Sequence, residues 1–291
     1  MSNENLSSVA FSNYFGPVSS KTDLKFMDFD KLFDKLKDFD ISNMPIPKCS
    51  GKTSIKSKRA EVLNKITASL ICMDLSDIRK DIDTLLDNGI SRFHADFMDG
   101  VFVPRLGLSP ELIQWMKKRY GNSISIDSHL MLQNPVPYLD VIAPYSDWVF
   151  FHYEATKDPV RILQKVKKEY PTTLVGAAYN LTTPVDVSLQ EMNLINGHML
   201  MGISPGVLGS ESWPDIVLKK TYELNKGFMC SLPAFIDGSV NFETIPKYNE
   251  NRNLLMVCGS STLFKVDEIT KDMSREQMIK FNIERIKEAS R

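Results

Sequence analysis

From Ile66 onward, short runs of β-branched or aromatic residues alternate with longer amphipathic stretches. Apolar runs separated by helical segments predict a parallel sheet covered by helices, joined by right-handed crossovers. Eight runs read as strands, at 66–72, 91–97, 123–131, 148–153, 174–180, 198–204, 233–238 and 254–259. The clearest amphipathic segments are 75–88, 109–120, 158–170, 212–227 and 274–290.

Eight such units in residues 66–291 have the size of a (β/α)8 TIM barrel, which we predict as the fold. An open doubly wound sheet is the alternative. That fold binds dinucleotides through a glycine-rich turn after its first strand. Here Cys72, Met73 and Asp74 occupy that place, which favours the barrel.

Residues 1–65 lack the regular alternation found from Ile66 onward. They are predicted to be an extension preceding a barrel domain at 66–291. The apolar positions of 29–36 follow the i, i+3, i+4, i+7 spacing of an amphipathic helix, which must dock on another surface. A basic, proline-bearing segment that resembles a linker follows. Its Gly51-Lys52-Thr53 is not a phosphate loop, because Ile46 stands where such a loop needs glycine.

The composition argues against some classes of binding partner. Thirty-five Lys and Arg against thirty-six Asp and Glu give a formal net charge of −1, which argues against nucleic acid or an anionic membrane as a partner. No apolar run is long enough to span a bilayer. The first twenty residues lack the features of a secretory signal or transit peptide, so we expect a cytoplasmic protein. The four scattered cysteines read as small buried hydrophobic residues, and a homo-oligomer is left open.

The candidate functional residues are those at the C-terminal ends of the predicted strands, because active sites of this fold form at that face. Period-2 geometry puts His94 and Asp96 on one face of the second strand, and Asp127 and His129 on one face of the third. The seventh strand ends in Asp237. Two imidazoles and two of these carboxylates suit one divalent ion of zinc, iron(II), manganese or cobalt. The competing interpretation is a set of hydrogen-bonded core residues.

Two further features concern the same end of the barrel. His152 is expected to form a hydrogen bond in the site, whereas His198 begins a strand and is expected to be structural. Gly-Ser turns after the last three strands could offer backbone N–H groups to a phosphate. They are Ser204–Ser210, Gly238-Ser239 and Gly259–Thr262.

The sequence resembles the ribulose-phosphate 3-epimerase family. The stretches that carry the resemblance are ASLICMD, FHADFMDGVFVP, DSHLM followed by Asn134-Pro135, FHYEA, YNLTTP, MGISPG, FIDGS and CGSS. They follow the order and spacing of the family and span essentially all of residues 66–265. The resemblance implies a TIM barrel that epimerises C3 of a ketose phosphate through a cis-enediolate.

The resemblance also implies roles for individual residues. His94, Asp96, His129 and Asp237 would bind one divalent metal, with Asp96 and Asp237 as the two acid/base residues. Ser69 and His129 would contact the substrate, and Met98, Met131 and Met201 would line the site. The phosphate would be held near Gly206, Gly209, Gly238, Ser239, Gly259 and Ser260.

The chain departs from the family pattern at several positions. The usual Gly-Phe-Gly-Gly-Gln of the sixth loop is altered over 206–211, Ser239 replaces a glycine, and Arg105 replaces an asparagine. Other features resemble the allulose-6-phosphate 3-epimerase branch, so the small-molecule substrate is either D-allulose 6-phosphate or D-ribulose 5-phosphate. A catalytically impaired relative that binds sugar phosphate or a protein partner is the alternative. A related decarboxylase would need a lysine that FHADFMDG lacks.

Overall fold

The computed structural model describes residues 62–186, 188–191, 193–207, 210–225, 232–251 and 253–290. Eight parallel strands pair in sequence order and close into a barrel, with the first strand against the eighth. The predicted TIM barrel is therefore confirmed. The strands are β1 Ile66–Ser69, β2 Arg92–Met98, β3 Ser125–Met131, β4 Trp148–His152, β5 Leu174–Tyr179, β6 Gly197–Met201, β7 Ala234–Asp237 and β8 Leu254–Cys258.

One α-helix of the described residues follows each strand. They are α1 Ile78–Asp87, α2 Pro110–Tyr120, α3 Leu139–Ile142, α4 Pro159–Glu169, α5 Ser188–Glu191, α6 Pro214–Asn225, α7 Ile245–Asn249 and α8 Arg275–Ala289. Local sequence sets where the longer helices begin. Asp158 caps α4 by accepting from the Arg161 N–H, and Ser274 and Gln277 form a capping box at α8.

Several predictions lie outside the described residues. The amphipathic segment 29–36, the tripeptide 51–53 and the cysteines at 49 and 230 are among them. The boundary between 1–65 and 66–291 thus stays a prediction, although β1 does begin at Ile66. None of the helices in the described part of the chain is long and apolar enough to cross a membrane.

Aromatic side chains fill the lower interior of the barrel, and we call Trp148, Phe150 and Phe235 the barrel floor. The rings of Trp148 and Phe150 stack at 5.4 Å, and Phe235 lies 4.7 Å from Phe150. Glycine makes the space. A Cβ on Gly176 would meet the Phe150 ring at 2.4 Å, so only glycine fits there. One cation reaches this floor, since the Arg92 guanidinium lies 5.6 Å from the centroid of the Phe235 ring.

His198 is buried in β6, as its expected structural role requires. Its ring lies 5.9 Å from that of Tyr179. Burial lowers the pKa of His198 to about 4, because the surroundings disfavour a charged imidazole. An unfolded chain binds that proton near pH 6.5. Between pH 6.5 and 4 the unfolded state therefore holds more protons at this residue, and stability is lost as the pH falls.

We predict that in His198→Asn the unfolding free energy falls less steeply between pH 6.5 and 4 than in the wild type. Without a titrating side chain, the variant avoids a loss of about 3 kcal/mol in unfolding free energy between pH 6.5 and 4. Urea unfolding of both proteins across this range, with chelator present, measures the difference. Parallel curves for the two proteins would contradict the prediction.

Candidate metal-binding active site

Four side chains converge inside the upper barrel from three strands. Strand register makes Asp96 of β2 the direct neighbour of His129 of β3. The His129 Nδ1 lies 3.3 Å from Asp96 Oδ1 and 3.2 Å from Asp237 Oδ2. The His94 Nε2 lies 3.1 Å from Asp96 Oδ1 and 3.9 Å from Asp237 Oδ2. The structure thus brings together all four residues predicted to be ligands.

These separations fit the edges of a coordination polyhedron. All four ligand atoms lie within 4.8 Å of one another. Ligands held at the usual 2.0–2.1 Å from a tetrahedral ion are about 3.3–3.4 Å apart. The donor set, two imidazole nitrogens and two carboxylates, is also one that borderline divalent ions accept. The residues present therefore fit a single divalent ion.

A buried carboxylate orients His94. The Asp127 Oδ2 lies 2.6 Å from His94 Nδ1, and Asp127 Oδ1 accepts a 2.8 Å hydrogen bond from the Thr67 hydroxyl. A carboxylate behind a histidine holds the proton on the near ring nitrogen, here Nδ1. The Nε2 lone pair of His94 is then directed at the four-residue cluster.

His129 is oriented by a longer chain of hydrogen bonds. Its Nε2 lies 2.9 Å from the Nε2 of His152, whose Nδ1 lies 3.1 Å from Glu154 Oε2. The other Glu154 oxygen accepts a 2.9 Å hydrogen bond from the Asn180 N–H. A proton on His152 Nδ1 faces Glu154, so His152 Nε2 accepts and His129 Nε2 donates. The Nδ1 of a neutral His129 then carries a lone pair that also faces the cluster.

Four electron-rich atoms thus face one point, which requires positive charge between them. Burial alone would lower the pKa of His94, but Asp96 and Asp127 outweigh it and hold that pKa well above its usual value. Asp237 and Asp96 raise the pKa of His129 in the same way, against its burial. Burial acts to raise the pKa of Asp96, but the two histidines hold it well below its usual range. Either protons or a divalent cation can meet this demand.

The cluster opens into a cavity of about 300 Å³ at the C-terminal face of the barrel. Asp96 and Asp237 reach this cavity, as does Ser69, the predicted substrate contact. The three predicted methionines also line it and are almost fully buried: Met98, Met131 and Met201. The cavity therefore combines two carboxylates with three thioether side chains.

Most residues predicted to hold phosphate also line this cavity: Gly206, Gly238, Ser239, Gly259 and Ser260. Gly209 lies outside the described residues. The Ser239 hydroxyl is engaged internally, because it accepts from the Trp213 N–H at 2.8 Å and donates to the Gly202 carbonyl. Only the backbone of Ser239 is left to contact a ligand. Its φ of +59° is unusual for a residue with a side chain and explains why glycine is common there.

The sequence prediction was wrong about Cys72, which is half-buried and lines the cavity. Strand β1 ends at Ser69, and a 3-10 turn over Leu70–Cys72 places Cys72 at the margin of the core, where it also lines the cavity. The prediction also missed the roles of Asp127 and Glu154. Their positions two residues from His129 and His152 were the available signal.

Comparison with known proteins gives a consistent picture. The family model described as "Ribulose-phosphate 3 epimerase family" matches residues 65–264. The ribulose-phosphate 3-epimerase of Schizosaccharomyces pombe is 29% identical over 199 residues, which cover 68% of this chain and 86% of that protein. The enzyme of the same name from Bacillus subtilis is 29% identical over 209 residues, covering 70% of this chain and 94% of that protein.

Solved structures share the fold at low sequence identity. KGPDC from Streptococcus mutans has a TM-score of 0.53 and 12% identity, covering 76% of this chain and 97% of that chain. A native KDPGal structure has a TM-score of 0.51 and 11% identity, covering 77% of this chain and 93% of that chain. At such identities the likeness concerns the barrel alone.

We predict that His152→Phe weakens metal binding without unfolding the protein. Phenylalanine keeps the ring but leaves the His129 N–H without its acceptor, and loss of such a partner lowers metal affinity about 10- to 100-fold. Chelator competition measures the affinity. The matched control is His198→Phe, which removes a buried imidazole that does not line the cavity. Equal affinities for His152→Phe and wild type would contradict the orienting role.

Proposed function

The chain belongs to the ribulose-phosphate 3-epimerase family, and on that premise we propose that it inverts C3 of D-ribulose 5-phosphate or D-allulose 6-phosphate in a metal-dependent reaction. At the coarser level it is an isomerase that epimerises a sugar phosphate. The observation that carries the proposal is the cluster of His94, Asp96, His129 and Asp237 at the cavity.

The reaction removes a proton next to the C2 carbonyl and returns one to the opposite face. A divalent ion held by the four ligands would stabilise the negative charge that develops on the ketose oxygen. The ion is zinc, iron(II), manganese or cobalt, since all accept this donor set.

We assign the proton transfers to Asp96 and Asp237, one as base and the other as acid. Two facts support the assignment. Both carboxylates line the cavity, and they come from β2 and β7, which are separated in the barrel by β1 and β8. Positioned acid/base groups contribute about 10²–10⁴-fold each. Met98, Met131 and Met201 would surround the enediolate without offering a competing proton.

We infer the preferred substrate from sequence features and from the position of one of them at the cavity. Cys72-Met73-Asp74 and Asp237-Gly238-Ser239 resemble the allulose-6-phosphate branch. Cys72 lines the cavity. We therefore propose D-allulose 6-phosphate as the preferred substrate. The catalytically impaired alternative is not favoured, because both aspartates and both histidines are present.

The proposed function predicts epimerisation of both sugar phosphates, with a higher kcat/KM for D-allulose 6-phosphate. Activity should disappear with chelator and return when a divalent ion is added back. Coupled assays of both substrates measure this. A tenfold advantage for D-ribulose 5-phosphate, about 1.4 kcal/mol in transition-state binding, would overturn the substrate preference.

The two-base assignment predicts that Asp96→Asn and Asp237→Asn both fail to epimerise, since each variant lacks one of the two proton-transfer groups. Metal content must be matched first, because both residues are also proposed ligands. In D₂O, each metal-loaded variant should still exchange deuterium into C3 of one epimer without interconversion, and the two variants should label opposite epimers. Mass spectrometry of the recovered sugars reads this out.

Near wild-type epimerisation by both metal-loaded variants would show that protons come from another source. Asp99, the nearest other aspartate in the motif, accepts hydrogen bonds from the backbone of Val101, Phe102 and Gln133. It does not line the cavity among the described residues.

A further inference from the structure

The cavity contains one cationic side chain among its described lining residues, that of Arg105. Building on the proposed function, we propose that the Arg105 guanidinium binds the phosphate group of the ketose phosphate. The residue stands where the family pattern has asparagine, so the contact would belong to this chain and not to the family pattern at large.

The loop that carries Arg105 is fixed at both ends. Asp99 and Leu106 form an antiparallel bridge, and the Arg105 carbonyl accepts a 3.0 Å hydrogen bond from the Gly100 N–H. Where the loop returns to β2, the Gly107 N–H donates to the Met98 carbonyl at 3.1 Å. Arg105 is therefore presented from an ordered turn, which lowers the entropy lost on binding a ligand.

This loop also touches the turn predicted to bind phosphate. A Cβ added to Gly206 would come within 2.6 Å of the Val103 Cβ, so the loops after β2 and β6 are in close contact. Gly206 has a φ of +69° and lines the same cavity as Arg105. An anion held by the backbone near Gly206 would lie on the side of the cavity that the β2 loop approaches.

The charge balance of the cavity favours a cationic side chain beside the phosphate. Asp96 and Asp237 contribute two negative charges to the cavity, which one divalent ion would neutralise. A sugar phosphate adds about −1.5 to −2 at pH 7. Arginine pairs with phosphate through two parallel hydrogen bonds, which backbone N–H groups alone do not reproduce.

The guanidinium also has no competing partner in the described part of the chain. Arg275 and Arg285 are paired with Asp81 and Asp267 through ion pairs of 2.7 and 2.8 Å. No carboxylate of the described residues pairs with Arg105. Its side chain is half-buried at the cavity, so it keeps a solvated cation available to a ligand.

The test compares Arg105→Gln, Arg105→Lys and wild type on a sugar phosphate and on the same sugar without phosphate. Arg105→Gln should raise KM for the phosphorylated ketose about tenfold or more, with kcat nearly unchanged, because a charge-assisted contact is lost from ground and transition states alike. Arg105→Lys should fall between, since it keeps charge without the paired geometry. The control Arg79→Gln, on an exposed helix face, should behave as wild type.

Calorimetric titration with inorganic phosphate needs no turnover and separates this proposal from the proposed function. Weaker phosphate binding by Arg105→Gln, in a protein that epimerises no ketose phosphate, would support the Arg105 contact and reject the epimerase. Equal phosphate binding by Arg105→Gln and wild type would overturn the contact and leave the epimerase standing. An equal loss of kcat/KM on phosphorylated and unphosphorylated ketose would also overturn it, since Arg105 would then act on the sugar itself.

Discussion

The convergence of four electron-rich atoms on one point is the constraint around which the upper barrel is organised. Two imidazole lone pairs and two carboxylates cannot share a buried volume unless positive charge lies between them. The surrounding hydrogen bonds favour that arrangement, since Asp127 directs His94 inward and the His152–Glu154 pair does the same for His129. Groups on four strands are thus arranged so that one cation is needed between them.

The barrel interior differs between its lower and upper halves. Below, Trp148, Phe150 and Phe235 fill the interior and need glycine at 176 to fit. Above, polar side chains satisfy one another across adjacent strands, as Asp96 and His129 do. A low-dielectric floor beneath a charged cluster strengthens the electrostatic interactions in it. Packing and chemistry are therefore separated by depth along the same strands.

Periodicity predicted the fold and put candidate ligands, Asp127 among them, at one end of the barrel, whereas the choice of His94, Asp96, His129 and Asp237 came from the family resemblance. Alternation of strand and helix revealed the barrel, and period-2 spacing placed His94 and Asp96 on one face. The supporting contacts were less accessible, because the pairing of His129 with His152 depends on the register between neighbouring strands. Cys72 was misjudged because its position depends on where β1 stops. From the sequence, Arg105 could be recognised only as a departure from the family pattern. Its position at the cavity depends on the path of the loop after β2.

The barrel floor has a consequence for the order of events. With the lower interior filled by aromatic rings, an ion at the four-residue cluster and a sugar in the cavity would share one entrance, at the C-terminal face. An ion held by the fully buried His94 and His129 would lie deeper than a sugar in the cavity, so the metal would have to bind before the sugar. A bound sugar would then block the exit of the ion. Saturating substrate should slow the escape of the metal, so the enzyme would keep its ion longest while it is working.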